Sequence, residues 1–240
     1  MEDNEWSFCS LWTERIKTGC AEALTNGNFE GDYFFNRASV HNCPDPSVAV
    51  RQIAKVLWQK GMDCYIHDRD DRLAGEGLAM IDTMHVLRVG SRSSSGKTKI
   101  VSIGRQLLPA WIDVFCRTFA VPEWRPEIER IMMTNFAKLE LLLSYKADLP
   151  VGCAALFNKN GVTGLYCLGT ISQQRGRGLA SDMLNSAISE NLFLQTLGSE
   201  ELLPLYKKAG FVVAYTKKIY SLARPNKLEF EKPRSVINLY

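Results

Sequence analysis

The sequence predicts an α/β protein in which helices flank a mixed sheet, preceded by a smaller α/β domain. Residues 163–171 form a short apolar strand pattern, and residues 179–188 repeat apolar side chains at the i, i+3, i+4 spacing of an amphipathic helix. The turn Gly176-Arg177-Gly178 joins the two patterns. A strand that leads through glycines into a helix is the unit from which α/β sheets are built.

The other elements of the C-terminal part follow in an order that alternates helices and strands. The connector 158–161 is a strong hairpin signal because it contains Asn160-Gly161. Pro126 suits the first turn of a helix. The predicted strands cover 100–104, 139–145, 151–157, 163–171, 192–197, 212–215 and 218–222, and the predicted helices cover 108–119, 126–136, 179–188 and a short segment that ends at Gly210.

The first ninety residues carry weaker patterns. Helices are predicted over 5–24 and over 45–60, where Pro46 lies in the first turn. Strands are predicted over 33–40, 62–66 and 79–89. The Ser/Gly-rich stretch at 91–99 is typical of a flexible linker. The sequence therefore predicts an N-terminal domain at 1–90, a linker at 91–99, a second domain at 100–224 and a tail at 225–240.

Composition excludes several classes of protein. A net charge of +3 is too small to indicate nucleic acid or an anionic membrane as a partner. No apolar run approaches the roughly 20 residues that span a bilayer. The acidic start, with Glu2 and Asp3, is unlike a secretory signal. We therefore expect a cytoplasmic protein with no membrane or nucleic-acid partner, whose oligomeric state the sequence leaves unknown.

Cysteine and histidine usage indicates neither a metal site nor a disulfide framework. The seven cysteines are scattered and never occur as C-x-x-C, a pattern typical of reduced thiols. The three histidines, His41, His67 and His85, match no recognised metal spacing. We expect no metal.

The glycine turn at the start of the 179–188 helix favours phosphate binding. A helix that opens on Gly-Arg-Gly leaves its first backbone N–H groups unpaired. Those donors, the positive end of the helix dipole and the side chains of Arg175 and Arg177 together make an anion site. The alternative is an ordinary β–α turn with no ligand.

Two motifs resemble the GNAT superfamily of acyl-CoA-dependent N-acyltransferases. Gln173, Gly176 and Gly178 fill the Q/R-x-x-G-x-G/A signature. Leu205-Tyr206 and Gly210-Phe211 are similar to the L-Y-x-x-x-G-F element that closes the same fold, about thirty residues further on. The resemblance covers 100–223 and not the first ninety residues, whose element order alone suggests a degenerate second copy of the unit.

The resemblance implies direct transfer of an acetyl group from acetyl-CoA to an amine, on a small molecule or on a peptide or protein. It places the ligand site where two neighbouring parallel strands diverge. Tyr206 would protonate the leaving thiolate, since a tyrosine with a pKa of about 10 is protonated at neutral pH. The residues that would bind the cofactor are Tyr166, Cys167, Leu168, Gln173, Gln174, Arg175, Gly176, Arg177, Gly178, Leu179, Ala180, Ser199 and Tyr206.

The sequence departs from the family pattern at three positions. Leu194 stands where many members carry a base, so the base is Glu123, a water chain, or none if the amine is deprotonated elsewhere. Ser199 replaces an asparagine, and Pro204 means that the last helix starts late or is kinked. Cys167 is disfavoured as a nucleophile because this domain has no histidine to activate it. The alternative function is a non-catalytic acyl-CoA-binding regulatory module.

Overall fold

The computed structural model describes residues 1–40, 42–69, 73, 77–91, 98–198, 202–222 and 224. These residues form two compact units. The large unit contains Met1–Phe8 and Val86–Ala214, and the small unit contains Cys9–His85 and the described residues from Tyr215 onward. The division differs from the predicted boundary near residue 90, because residues 1–8 belong to the large unit and the described residues after 214 belong to the small one. Residues 92–97 of the predicted linker and the tail 225–240 lie outside the described residues.

The large unit contains most of the predicted elements, within a few residues of the expected bounds. Its helices are α1 (Glu2–Ser10, shared with the small unit), α3 (Leu108–Phe119), α4 (Arg125–Asn135), α5 (Leu179–Ala187) and α6 (Leu203–Lys208). Its strands are β6 (Lys99–Ser102), β7 (Glu140–Lys146), β8 (Leu149–Lys159), β9 (Val162–Thr170) and β10 (Leu192–Leu197), together with parts of β5 (Leu78–Val89) and β11 (Phe211–Leu222).

The sheet of the large unit is mixed, as predicted. Its strands lie in the order β11, β5, β10, β9, β8, β7, β6. The pairs β6/β7, β7/β8 and β8/β9 are antiparallel, whereas β9 and β10 are parallel. The parallel pair requires a crossover connection, and the loop after β9 followed by α5 supplies it.

A close approach fixes α3 against this sheet. A Cβ at Gly169 on β9 would lie 2.2 Å from Cγ2 of Thr118, so only glycine lets the helix lie this near the strand. The indole Nε1–H of Trp111 donates a 3.0 Å hydrogen bond to the carbonyl of Ala154 on β8. These contacts hold α3 over the end of β9 from which the glycine loop leaves.

The small unit also combines helix and sheet, and the sequence predicted its elements only in part. Its own elements are β1 (Glu14–Thr18), β2 (Ala21–Thr25), β3 (Arg37–Val40), α2 (Pro46–Gln59) and β4 (Cys64–Asp68). The predicted helix at 5–24 is wrong: α1 ends at Ser10, and a β1/β2 hairpin follows. Gly19 suits the turn between the two strands, where it adopts a φ of +58°.

In the small unit, β1, β2 and β3 pair antiparallel, β3 and β4 are parallel, and β4 pairs antiparallel with β11. Helix α2 begins as predicted, because Asp45 caps the backbone N–H of Val48 at 3.0 Å and Pro46 occupies the first turn. Its buried face packs on the sheet through Ala49, Val50, Ile53, Ala54 and Leu57.

The prediction that all cysteines are reduced is wrong for one pair. Cys20 and Cys43 form a disulfide with a Cα–Cα distance of 5.6 Å. The sheet brings them together, because Ala21 pairs with Val40 and the two cysteines lie just beyond that pair. The remaining five cysteines are buried and form no disulfide. Sequence spacing alone does not show such a pairing.

The C-terminal end also differs from the prediction, since the two strands expected at 212–215 and 218–222 are the single strand β11. The polar residues between the two patterns, including the buried Lys217, continue the extended backbone. Among the described residues, no helix has the length and apolar character needed to cross a membrane.

Candidate functional site

The loop between β9 and α5 presents open backbone. Gly176 and Gly178 have φ values of +73° and +81°, and a Cβ at either position would meet no atom within 4 Å. Gly178 is the N-cap of α5 and no side chain caps the helix. The first hydrogen bond of the helix runs from the N–H of Asp182 to the carbonyl of Gly178, at 2.9 Å. The N–H groups of the first turn are therefore outside the helical ladder, next to space that an anion can enter.

The side chains of the loop differ in what they contact. Gln173 and Arg177 are exposed, Leu179 is buried and Ala180 is partly buried. Oε1 of Gln174 accepts a 3.0 Å hydrogen bond from Nζ of Lys146. These positions leave the outer surface of the loop to its backbone and to the side chains of Gln173 and Arg177.

Arg175 ties the loop to its supports. Its Nε donates to the carbonyl of Thr170 at 3.1 Å, and its Nη2 donates to the carbonyl of Thr118 at 3.2 Å. The guanidinium thus joins the loop to the end of β9 and to α3. The sequence suggested both arginines as anion ligands, and the structure gives Arg175 these two carbonyl partners.

The parallel strands β9 and β10 diverge beside this loop. Their register contains three pairs and ends at Leu194↔Leu165. Both strands continue past that point, β9 to Thr170 and β10 to Leu197. A split therefore opens between their carboxyl ends, at the place where the fold was expected to hold its ligand.

A β-bulge lies on the β9 side of the split. The β8/β9 register shifts between Cys153 and Ala155, and Cys167 has a φ of +54°. Sγ of Cys153 contacts the carbonyl of Cys167 at 3.5 Å. Burial raises the pKa of the Cys153 thiol far above its ordinary value, so this thiol stays protonated and donates. The bulge takes Cys167 and Leu168 out of the regular ladder, whereas Tyr166 just before them still pairs with Ala155 on β8.

The N-terminal helix holds the residue that precedes the bulge. The hydroxyl of Tyr166 donates to Oδ1 of Asn4 at 2.8 Å, and its ring stacks on Phe8 with centroids 3.7 Å apart. Nδ2 of Asn4 donates to the carbonyls of Phe157 and Val162 at 3.0 and 2.7 Å. Sequence reasoning missed Asn4, since nothing in the pattern of residues 1–10 indicates contact with a strand 150 residues away.

Tyr206 lies in the first turns of α6. This helix starts at Leu203, so Pro204 occupies its first turn and the helix starts late, one of the two predicted outcomes. Tyr206 is buried, edge-on to Phe211. It belongs to the same apolar cluster as Leu168 beside the bulge and Met183 of α5. Ser199 lies outside the described residues.

Glu123 lies on the turn Pro122–Trp124 between α3 and α4, and its side chain is exposed. In the same region Asp113 accepts hydrogen bonds from Arg125 and Arg117, at 2.9 and 3.4 Å, and these arginines hold its pKa below the ordinary value. Because the side chain of Glu123 is exposed, it lies in solvent, and its role as a base stays a prediction. Within the described residues, no group of three His, Cys, Asp or Glu side chains is placed to hold a metal ion.

Solved structures share this architecture. A GCN5-related N-acetyltransferase from Kribbella flavida is similar with a TM-score of 0.67 at 13% identity, over 93% of this chain and 94% of that one. A conserved protein of unknown function from Staphylococcus epidermidis is similar with a TM-score of 0.68 at 13% identity, over 92% and 98% of the two chains. A GCN5-related N-acetyltransferase from Sphaerobacter thermophilus is similar with a TM-score of 0.61 at 14% identity, over 86% and 78%.

These likenesses show that the chain has the GNAT fold, which confirms the predicted fold class. A likeness over 93% of the chain includes far more than residues 100–223, so the first ninety residues also belong to what is shared. No protein-family model matches the sequence, and no curated protein matches it.

Proposed function

We propose that this protein is an N-acetyltransferase that moves an acetyl group from acetyl-CoA directly to an amine. The observation that carries the proposal is the open glycine loop at the start of α5, next to the split between β9 and β10. Phosphate needs unpaired N–H donors that a ligand can reach, and a thioester arm needs a slot beside free backbone. The carboxyl end of β9 lies next to both features, the glycine loop and the split.

The roles of the residues follow from their places along β9 and α5. The backbone from Gln174 to Leu179 would bind the pyrophosphate, with Gln173 and Arg177 at the exposed edge and Arg175 holding the loop in shape. The backbone of Tyr166, Cys167 and Leu168 would lie along the pantetheine arm and offer an N–H to the thioester oxygen. Ser199 would contact the cofactor from the segment before α6.

Proton transfers decide which side chains the reaction needs. An alkyl amine has a pKa of about 10.4 and a thiol about 8.5, so the amine must lose a proton and the leaving thiolate must gain one. Tyr206 would supply the proton to sulfur. Glu123 would take the proton from the ammonium form of the acceptor, which is a small amine or a peptide or protein amine. The proposed location is the cytoplasm, and the reaction as written needs no metal.

The experiment measures acetyl-CoA binding by calorimetry. Gly176→Asp places a side chain and a negative charge at the loop, and we expect affinity to fall severely while circular dichroism shows a folded protein. Gly161→Asp is the matched control: Gly161 has a φ of +76° and also has no atom within 4 Å of its Cβ position, so the backbone strain is the same. Unchanged affinity in folded Gly176→Asp, or an equal loss in both variants, would refute the proposed site.

A further inference from the structure

Gln195 lies on β10 directly after the last pair of the β9/β10 ladder. Phe193 pairs with Gly164 and Leu194 pairs with Leu165, and there the register ends. Were it to continue, Gln195 would stand opposite Tyr166, one residue before the bulge at Cys167. The residue therefore lies at the inner end of the split, where the two strands begin to separate.

The side chain of Gln195 is buried and unsatisfied. The residue is 7% exposed, and among the described residues neither Oε1 nor Nε2 has a hydrogen-bond partner. A buried amide whose N–H donor and carbonyl acceptor both lack partners destabilises the folded state. Such a group calls for an explanation, of which an unseen ligand is one and an ordered water is another.

Strand alternation shows which side of the sheet the side chain is on. Leu192 and Leu194 belong to the cluster that contains Tyr206, so they face α5 and α6. Alternate residues of a strand face opposite sides. Gln195 therefore shares the other face with Phe193, whose ring meets that of Tyr166 edge-on at a centroid distance of 6.1 Å. The amide thus lies on the Tyr166 side of the split.

We infer that Gln195 is a catalytic residue that contacts the acyl group and the incoming amine. The inference rests on the proposed acetyl-CoA site. Nε2–H donates to the carbonyl oxygen of the thioester, and Oε1 accepts a hydrogen bond from the N–H of the amine. A bound thioester and amine supply the acceptor and the donor that the amide lacks in the free protein.

The two hydrogen bonds are the whole contribution of Gln195 to the acyl transfer. The amine nitrogen forms a bond to the acyl carbon, the carbon–sulfur bond breaks, and the proton that nitrogen loses balances the one that sulfur gains. Gln195 neither gains nor loses a proton, since a carboxamide does not titrate at neutral pH. It orients the lone pair of an amine that is already neutral and polarises the carbonyl.

The test compares the affinities of acetyl-CoA and CoA, which differ at the acyl carbonyl, so no acceptor is required. Gln195→Met keeps the length of the side chain and removes both polar atoms, and Gln195→Leu is a second apolar variant. We expect acetyl-CoA affinity to fall by roughly threefold to tenfold, the value of one neutral hydrogen bond, with CoA affinity unchanged. Thr196→Val is the control, since Thr196 is the next buried residue on the same strand and its side chain faces the other way.

The free protein gives a second readout. Replacing an unsatisfied buried amide by an apolar side chain should raise the melting temperature of Gln195→Met, whereas Thr196→Val should not. A lower melting temperature with an unchanged acetyl-CoA affinity would show that the amide is satisfied by water and would overturn the inference. An equal loss of CoA and acetyl-CoA affinity would overturn it as well. A wild-type protein that binds neither compound would refute the proposed function itself.

Discussion

The hydroxyl of Tyr166 donates a 2.8 Å hydrogen bond to Oδ1 of Asn4, which links the N-terminal helix to the strand residue just before the bulge. Asn4 is itself held by the carbonyls of Phe157 and Val162, on the two strands of the β8/β9 hairpin. The side chain of Tyr166 therefore positions the strand against the N-terminal helix, through its hydrogen bond to Asn4 and its stacking on Phe8. The contribution of this residue to a ligand would come from its backbone.

We expect Asn4→Ala to lower the free energy of unfolding by about 2–4 kcal/mol, because three groups lose their partners and two of these hydrogen bonds are buried. Tyr166→Phe removes one hydroxyl and should cost about 1–2 kcal/mol. Urea denaturation measures both. Asn158→Ala is the control, since its hydrogen bond to Thr163 is exposed and its loss should change stability by less than about 0.5 kcal/mol. Equal stability of Tyr166→Phe and wild type would show that the Asn4 contact contributes nothing.

Tyr206→Phe separates an enzyme from a binding module. The ring stays in its apolar cluster, so acetyl-CoA affinity and melting temperature should change little. Loss of the general acid should reduce kcat by about 10²–10⁴-fold, with a smaller effect on KM. Steady-state kinetics with an amine acceptor measure this, and Tyr145→Phe on β7 is the control. A lower melting temperature with normal turnover would mean that the hydroxyl is structural. Acetyl-CoA binding without transfer to any amine would favour a binding module.

Glu123→Gln tests the proposed base. Its side chain is exposed, so stability should stay within about 0.5 kcal/mol of wild type. The rate at neutral pH should fall, and the acidic limb of the pH–rate profile should flatten, because a carboxamide accepts no proton. Glu129→Gln, an exposed carboxylate on α4, should leave the profile unchanged. If both variants keep the wild-type profile, the proton leaves through water or before the amine binds.

The disulfide predicts a redox-dependent stability of the small unit. Cys20 and Cys43 are separated by 23 positions, and closing a loop of that length is worth about 3 kcal/mol in the unfolded chain. Cys20→Ser with Cys43→Ser should lower stability by that amount in oxidising buffer. Dithiothreitol should bring the wild type down to the level of the double variant and leave the variant unchanged. Thiol titration of protein taken directly from cells would show whether the pair is oxidised in a cytoplasmic setting.

Local sequence patterns predicted the helices and strands of the large unit well, because the type and bounds of each element depend on residues close to it in the sequence. Helix α3 has its predicted bounds, and β10 does too, since periodicity and turn residues fix both. The same holds for the glycine loop, where Gly176 and Gly178 are needed for their positive φ values. The helix expected at 5–24 is wrong because residues 14–25 pair as the β1/β2 hairpin, with Gly19 in its turn, although their apolar spacing also suits a helix.

The sequence by itself determined the fold class, the glycine loop and the helix that follows it, because these depend on contacts within a few residues. Only the tertiary structure decided which distant groups meet. It placed Asn4 against Tyr166, joined Cys20 to Cys43, turned Arg175 toward two carbonyls and left the amide of Gln195 buried at the split. Such pairings depend on sheet order and register, and no local pattern encodes which strand will lie beside which.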